Sequence, residues 1–351
     1  MKWITILVSI TCIFRVAYAD KGRVYHFPTQ ATPAPETITP WFTGPLLTPT
    51  SATVPGGFVD IEPYLFYNIN TGRYKDDWKV SSMPHVNNAI LSIYTYWGVN
   101  QWMDVQVIPQ VVFNSTQNTS SMQLGDLPIA LEFQLIHETP ENSLPSLKFY
   151  IQETFPTGRY QKLKPDRLFT DAGGKGSFQT EVGFVVGRVI HFKDIYFMTA
   201  RFNLAYSYWS SVAVKGLNSY GGERGTKGRV FPGSQYSYFL GLEFSLSRNW
   251  AFAFDAAGQY ITKTRFSGKE GDNPLPGSVL GLNIPPQWQF SFAPALEYNF
   301  NQSLGIIAGP WFTVAGRNSF RFISGVIALN YYGPITKRKK HEKTYPGNCR
   351  F

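Results

Sequence analysis

Nine charged side chains lie in stretches where apolar residues occupy every second position, and they are the residues best placed to do chemistry. They are Asp60, Glu62, Asp104, Glu132, Lys148, Arg201, Glu243, Asp255 and Glu297. So many carboxylates in a narrow space would need ion pairs, water or raised pKa values. Two interpretations follow: a structural charge network that closes an interior space, or a constriction that prefers cations. The network is the favoured one.

The elements that position these charges are predicted β-strands with one apolar and one polar face. Between 59 and 69 the two faces are Val59, Ile61, Pro63, Leu65, Tyr67 and Ile69, against Asp60, Glu62, Tyr64, Phe66 and Asn68. The same alternation predicts twelve strands near 57–70, 88–100, 101–113, 124–138, 145–155, 177–191, 193–209, 234–247, 248–263, 288–300, 302–314 and 319–332.

Composition selects the fold class. Aromatic and charged residues each make up 16% of the chain, against about 25% charged residues in ordinary soluble domains. No segment after residue 19 has the continuous apolar run of a transmembrane helix. We therefore predict an all-β, transmembrane, antiparallel up-and-down β-barrel of about 12 strands, with the apolar face toward lipid. A soluble barrel is the alternative, but it would need more charged residues outside.

The connections agree with this fold, because short and long ones alternate along the chain, apart from a brief connection at 315–318. Tight turns are predicted at 99–101, 191–193, 247–249 and 301–302, and long loops at 71–87, 114–123, 156–176, 210–233 and 264–287. Outer-membrane barrels have short periplasmic turns and long external loops. The predicted location is the outer membrane of a Gram-negative bacterium.

The barrel is predicted to span 57–333, and the segments before and after it are not part of its wall. Residues 1–19 have the pattern of a secretory signal peptide, with cleavage between Ala19 and Asp20. Residues 20–56 contain seven prolines and form an extended arm, which is either a periplasmic linker or a plug inside the barrel. Residues 334–351 form a basic tail with Cys349, whose role the sequence leaves open.

The external loops are basic, which predicts contact with the phosphates of lipopolysaccharide. In the loop 156–176 the predicted contact residues are Arg159, Lys162, Lys164 and Arg167. Steering of an anionic solute is the alternative. Outer-membrane lipid is the other expected partner, and no nucleic acid is expected. Glu153, on the lipid face just before this loop, is predicted to lie at the interface with Arg159 as its partner.

No catalytic or metal-binding pattern is convincing. His85 lies near Ser81 and Ser82, but one histidine beside serines is common by chance. No histidines have metal-ligand spacing and no nucleotide-binding loop occurs. We expect no enzyme activity, no metal and no cofactor.

Three segments carry a resemblance to a known family. "FYIQETFPTGRY", "GFVDIEPYLFY" and "LGDLPIALEFQL" are similar to segments of a family of outer-membrane proteins named for the MetA pathway of phenol degradation. The likeness covers about residues 56 to 333, without the arm and the tail. The resemblance implies an outer-membrane location and uptake of small hydrophobic or aromatic compounds, and it supplies no catalytic residues.

The expected function is therefore a narrow channel for small solutes by passive diffusion, since twelve strands lie between closed and open barrels. A non-conducting surface or structural barrel is the alternative, and a surface hydrolase a weaker one. The solute, the gating and the oligomeric state do not follow from the sequence.

Overall fold

The computed structural model describes residues 40–139, 144–271 and 282–335. The predicted signal peptide, arm residues 20–39 and tail residues 336–351 lie outside these ranges. The strands are β1 (Phe58–Tyr74), β2 (Val80–Ser81), β3 (Val86–Gly98), β4 (Met103–Val107), β5 (Gln110–Thr116), β6 (Thr119–Leu124), β7 (Leu127–Ile136), β8 (Ser146–Phe155), β9 (Gln179–Lys193), β10 (Tyr196–Trp209), β11 (Val212–Lys215), β12 (Lys227–Phe231), β13 (Gln235–Ser245), β14 (Trp250–Ile261), β15 (Arg265–Lys269), β16 (Gln287–Asn301), β17 (Leu304–Arg317) and β18 (Phe320–Pro334). A short 3-10 helix spans Pro165–Arg167.

Without β2, β11, β12 and β15, these strands form a closed antiparallel barrel of twelve strands, which confirms the predicted fold class. The chain passes from each barrel strand to its neighbour, and β1 closes the ring by pairing with both β3 and β18. Two barrel strands are interrupted: β5 continues β4, and β7 continues β6. Among the described residues, no helix is long and apolar enough to cross a membrane.

Cross-strand pairing shows which side chains share a face. Asp104 is opposite Glu132, Arg201 is opposite Gly241, and Thr199 is opposite Glu243. These residues face the interior, where most of them are buried, whereas Leu65 and Tyr67 on the other face of β1 are 44% and 46% exposed. The predicted alternation is therefore present, with the apolar face outward.

The two ends of the barrel differ. We call the end with Phe58 and Pro334 the turn end, because β9 and β10, β13 and β14, and β16 and β17 meet there through short turns. The opposite end, called the loop end, has the long connections. A separate sheet of β11, β12 and β15 lies there. Its Val212, Val214 and Val230 are buried with Tyr220 and Leu282.

Four predicted loops contain strands that the sequence analysis missed, and in the loop 71–87 this is the short β2. Residues 114–123 are mostly the hairpin of β5 and β6, which turns at Gln117 and Asn118. The loop 210–233 contains β11 and β12, and the loop 264–287 contains β15. The β5–β6 hairpin is rich in Asn, Ser and Thr, so its polar residues do not alternate with an apolar face as lipid-facing strands do. The alternation signal therefore ends before the strands do.

Candidate functional site: the barrel lumen

The predicted lumen charges cluster toward the turn end. Lys148 Nζ lies 2.6 Å from Glu132 Oε2, and both side chains are almost fully buried. Arg201 Nη2 lies 3.1 Å from Glu243 Oε2. Both bases thus neutralise carboxylates of neighbouring strands. These contacts are those of the favoured interpretation, a structural charge network.

Asp60 and Glu62 have a different partner. Both lie on β1, and Asn330 Nδ2 on β18 donates hydrogen bonds of 2.9 Å to each carboxylate. This contact lies across the seam where the first and last strands meet. These two acids therefore stabilise the closure of the ring.

Four of the acids hold the N-terminal arm, whose described part, residues 40–56, lies inside the lumen. Asp255 accepts hydrogen bonds from Leu47 N at 3.2 Å, Thr48 N at 3.0 Å and Thr48 Oγ1 at 2.6 Å. Three more contacts are Gly44 N to Glu243 at 2.9 Å, Val54 N to Asp104 at 2.6 Å, and Thr43 N to Glu297. Four of the nine predicted lumen residues therefore bind the arm backbone.

The chemistry of the arm explains this pairing. A proline-rich segment forms neither helix nor ladder, so its remaining N–H groups need other acceptors when they are buried. Carboxyl groups supply them, since each has two oxygens that accept hydrogen bonds. Gln134 joins them by accepting from Thr53 N at 2.7 Å and donating to Ser51 O at 3.1 Å.

Small wall residues make room for the arm. Leu46 is only 2% exposed and packs among Ala253, Ala293, Ala295, Ile307, Val326 and Ala328. A Cβ atom on Gly241 would lie 2.6 Å from Pro45 Cγ and 2.7 Å from Thr48 Cβ, which is too close for either contact. The wall of β13, β14, β16, β17 and β18 is thus shaped to the arm.

One side of the lumen carries a continuous row of aromatic rings, which we call the aromatic row: Tyr94, Tyr64, Phe66, Trp311 and Phe322. Successive ring centroids are 5.1, 5.6, 6.3 and 4.7 Å apart. Tyr64, Phe66 and Trp311 also pack, as Leu47 does, against the cluster that contains Leu46. The row therefore joins the arm to the loop end.

A cavity of about 250 Å³ lies at the loop end of the row. Its lining residues are Asn70, Gln259, Ile261, Gln287, Trp288, Gln289, Ser319, Phe320 and Phe322. Side-chain amides and aromatic rings line it without any charged residue. Such a lining suits a small neutral solute better than an ion.

A second cavity, of about 280 Å³, lies at the turn end between the arm and the wall. Thr50, Ser51 and Ala52 of the arm line it together with Arg188 and Arg201. Glu138 also lines it and accepts a hydrogen bond from Val189 N at 3.1 Å. Burial raises the pKa of Glu138 above its ordinary value.

The predicted external basic loop folds over the barrel interior. Asn114, which faces the lumen, donates to Thr170 O at 3.1 Å and to Ala172 O at 2.8 Å. Arg159 lies 3.5 Å from Asp171, and Arg167 donates to Ser120 O at 3.3 Å. Lys162 and Lys164 are exposed. Lipopolysaccharide contact by these four residues stays a prediction.

Glu153 corrects one detail of the sequence analysis. It faces outward near the end of β8, as predicted, but Thr180 Oγ1 is its hydrogen-bond donor at 2.6 Å. Arg159 instead pairs with Asp171. The predicted partner was wrong because the glycine-containing turn after Phe155 directs the loop inward: Gly158 N donates to Asp126 at 2.9 Å.

The aromatic row is the feature that the sequence analysis missed as a site. The alternation that placed Asp60 and Glu62 inside also placed Tyr64 and Phe66 on the same face. These rings were not identified because the candidate lumen residues included only charged side chains. Trp311 could have been found by the same counting, because it lies four positions beyond Ile307 on β17, and the side chain of Ile307 faces the lumen.

The comparisons with known proteins bear on the fold. No protein-family model and no curated protein matches the chain. An outer-membrane channel from Pseudomonas putida F1 matches in structure with a TM-score of 0.61 and 12% identity, over 81% of this chain and 98% of that one. This chain has the fold of an outer-membrane β-barrel.

Two further structures are less similar. The NanC porin has a TM-score of 0.43 and 9% identity, over 77% of this chain and 98% of its own. The CymD monoaromatic hydrocarbon channel has a TM-score of 0.38 and 12% identity, over 81% and 91%. Likeness at this level carries no conclusion. The family named for the MetA pathway stays a prediction.

Proposed function

We propose that this protein is a narrow outer-membrane channel for small apolar solutes, aromatic compounds among them, which cross by passive diffusion. The observation that carries the proposal is the aromatic row, which leads from the uncharged cavity at the loop end to Leu46 and Leu47 of the arm. Apolar rings are the surface along which an uncharged aromatic solute is stabilised over water. The outer-membrane location is supported by the fold and by the outward apolar face.

In this proposal the arm is a plug that must move for a solute to pass. Its backbone is bound by four carboxylates and its Leu46 fills the lumen beside the row. The proposal involves no chemical step on the solute, so the protein acts without catalysis.

A disulfide between arm and wall tests the proposal. The variant Thr48→Cys with Gly241→Cys, made in a Cys349→Ser background, joins positions whose Cβ atoms would be 2.7 Å apart. A shift of about 1 Å brings them to disulfide distance. Ion conductance in planar bilayers and phenol uptake by liposomes are measured before and after oxidation. We expect the reduced protein to conduct and to take up phenol, and the oxidised protein to lose at least about 90% of both.

The single variant Thr48→Cys is the matched control, and oxidant should leave its ion conductance and its phenol uptake unchanged. Equal phenol uptake in the oxidised and reduced double variant would show that the arm need not move. A protein that passes neither ions nor phenol, even after residues 20–56 are deleted, would instead be the alternative, a non-conducting surface barrel.

A further inference from the structure

The outer sheet of β11, β12 and β15 brings five basic residues to one face, which we call the basic face: Lys215, Lys227, Arg229, Arg265 and Lys269. Lys215 is opposite Lys227, and Lys227 is opposite Lys269, so three lysines form one row across the sheet. Arg229 is two residues from Lys227 on the same side of β12. The other residues of this face are Ala213, Phe231 and Ser267, so its described positions include no acid.

The sheet holds this face toward solvent. Val212, Val214 and Val230 on the opposite face are at most 4% exposed, and they pack with Tyr220 and Leu282. All five basic residues are exposed. Like charges directly opposite one another destabilise a sheet. Among the described residues, no ion pair involves Lys215, Lys227, Arg229 or Arg265. A multivalent anion would relieve this repulsion.

The position of the basic face relative to the membrane indicates which anion. β11 follows β10, β12 precedes β13, and β15 follows β14 along the chain. The sheet is therefore connected by short segments to three barrel strands. Near the loop end of these same strands, Tyr206, Tyr208, Tyr236 and Tyr260 face outward and are 36–55% exposed. Outward aromatic rings of a barrel mark the membrane interface.

The distance above this interface is short. Lys215 lies seven residues after Tyr208 and Arg265 lies five after Tyr260, which bounds their height at about 24 Å and about 17 Å for fully extended chain. The loop end of an outer-membrane barrel faces the exterior of the cell. Phosphate groups of lipopolysaccharide occupy the layer just outside the membrane interface, and lysine and arginine are the side chains that bind phosphate.

We propose that the basic face is a binding site for the phosphate groups of lipopolysaccharide. The row Lys215, Lys227 and Lys269 supplies three ammonium groups at the spacing of neighbouring strands, about 5 Å, and Arg229 and Arg265 extend the site along the sheet. The proposal rests on the outer-membrane location of the proposed function but not on transport.

The test is equilibrium binding of fluorescent lipopolysaccharide to the full-length protein in neutral detergent. The variant Lys215→Gln with Lys227→Gln and Lys269→Gln removes the row. Its matched control, Lys75→Gln with Lys79→Gln and Arg317→Gln, removes three exposed charges of the loop end that lie off the face. An exposed lysine near an anionic surface contributes about fivefold in affinity, so three contribute roughly 100-fold. We expect a loss of this order in the row variant and less than about fivefold in the control.

Two further binding measurements identify the ligand. Dephosphorylated lipopolysaccharide should bind the unaltered protein at least about tenfold more weakly than the phosphorylated form does. Phosphatidylglycerol micelles should compete for the site no better than dephosphorylated lipopolysaccharide does. Equal binding of phosphorylated and dephosphorylated forms, equal competition by phosphatidylglycerol, or equal losses in the two triple variants would each overturn the proposal. Conductance is not measured here, so a failure leaves the channel proposal standing.

Discussion

Lys148 is the residue on which the charge network at the turn end depends. Its ammonium group is buried against Glu132, whose cross-strand partner is the buried Asp104. Removing one partner of a buried ion pair leaves an uncompensated charge and costs about 3–5 kcal/mol. We expect Lys148→Met to lower the free energy of unfolding by about this amount, measured by guanidinium unfolding in phospholipid vesicles.

The matched control is the double variant Lys148→Met with Glu132→Leu. Replacing a whole buried pair by apolar residues of similar volume is often neutral, so this variant should recover most of the loss. A cost below about 1 kcal/mol for Lys148→Met alone would mean that water reaches the pair. The acids would then be better explained as the cation-preferring constriction.

Trp311 tests the aromatic row at a single ring. It contacts both Phe66 and Phe322, and its Nε1 donates to Ser291 Oγ at 2.9 Å. An aromatic contact contributes about 0.5–1.5 kcal/mol, so Trp311→Ala should raise the half-saturating phenol concentration for uptake about two- to tenfold. Ion conductance should not fall, because the smaller side chain widens the path.

The neighbouring Phe312 is the control for this prediction, since it is an aromatic residue of the same strand on the outward face. Phe312→Ala should leave the phenol dependence unchanged. If both variants change uptake equally, the ring contributes through barrel stability and not through solute binding.

In the proposed channel, the arm is the element whose position sets whether the lumen is open. Asp255 accepts three hydrogen bonds from Leu47 and Thr48. Hydrogen bonds to a charged group contribute about 1.5–3 kcal/mol, so Asp255→Ala should raise the population of the released arm by about 10- to 100-fold. More frequent open events in single-channel recordings and faster amide exchange at Leu47 and Thr48 would report it.

Asp60→Ala is the matched control, because it removes a lumen carboxylate that binds Asn330 and not the arm. It should change neither opening frequency nor exchange at Leu47. Unchanged opening in Asp255→Ala would show that the remaining arm contacts suffice to hold the plug in place.

The strands could be read from the sequence because lipid imposes an apolar side chain at every second outward position. The register of Asp60, Glu62, Tyr64 and Phe66 followed from that rule alone. The arm could not be placed, because proline density indicates extended chain but no binding partner. Nor could the outer sheet be found, since strands beyond the membrane need no apolar face toward lipid, and β11, β12 and β15 are only four or five residues long.

For the molecule as a whole, the decisive property is its apolar outward surface, which the proposed outer-membrane location places against lipid. Leu240 lies midway along β13 on the outward face, and Leu246 lies on the same face just past the end of that strand. An arginine facing lipid costs about 2–4 kcal/mol at the bilayer midplane and about 0–1 near the interface. We therefore expect Leu240→Arg to destabilise the barrel by that larger amount and Leu246→Arg by the smaller, measured by guanidinium unfolding in vesicles. A soluble barrel would make the two substitutions similar, because water would meet both positions. A difference of at least about 1.5 kcal/mol between the destabilisations of the two variants would show that the barrel, with its aromatic row and its arm, spans a membrane.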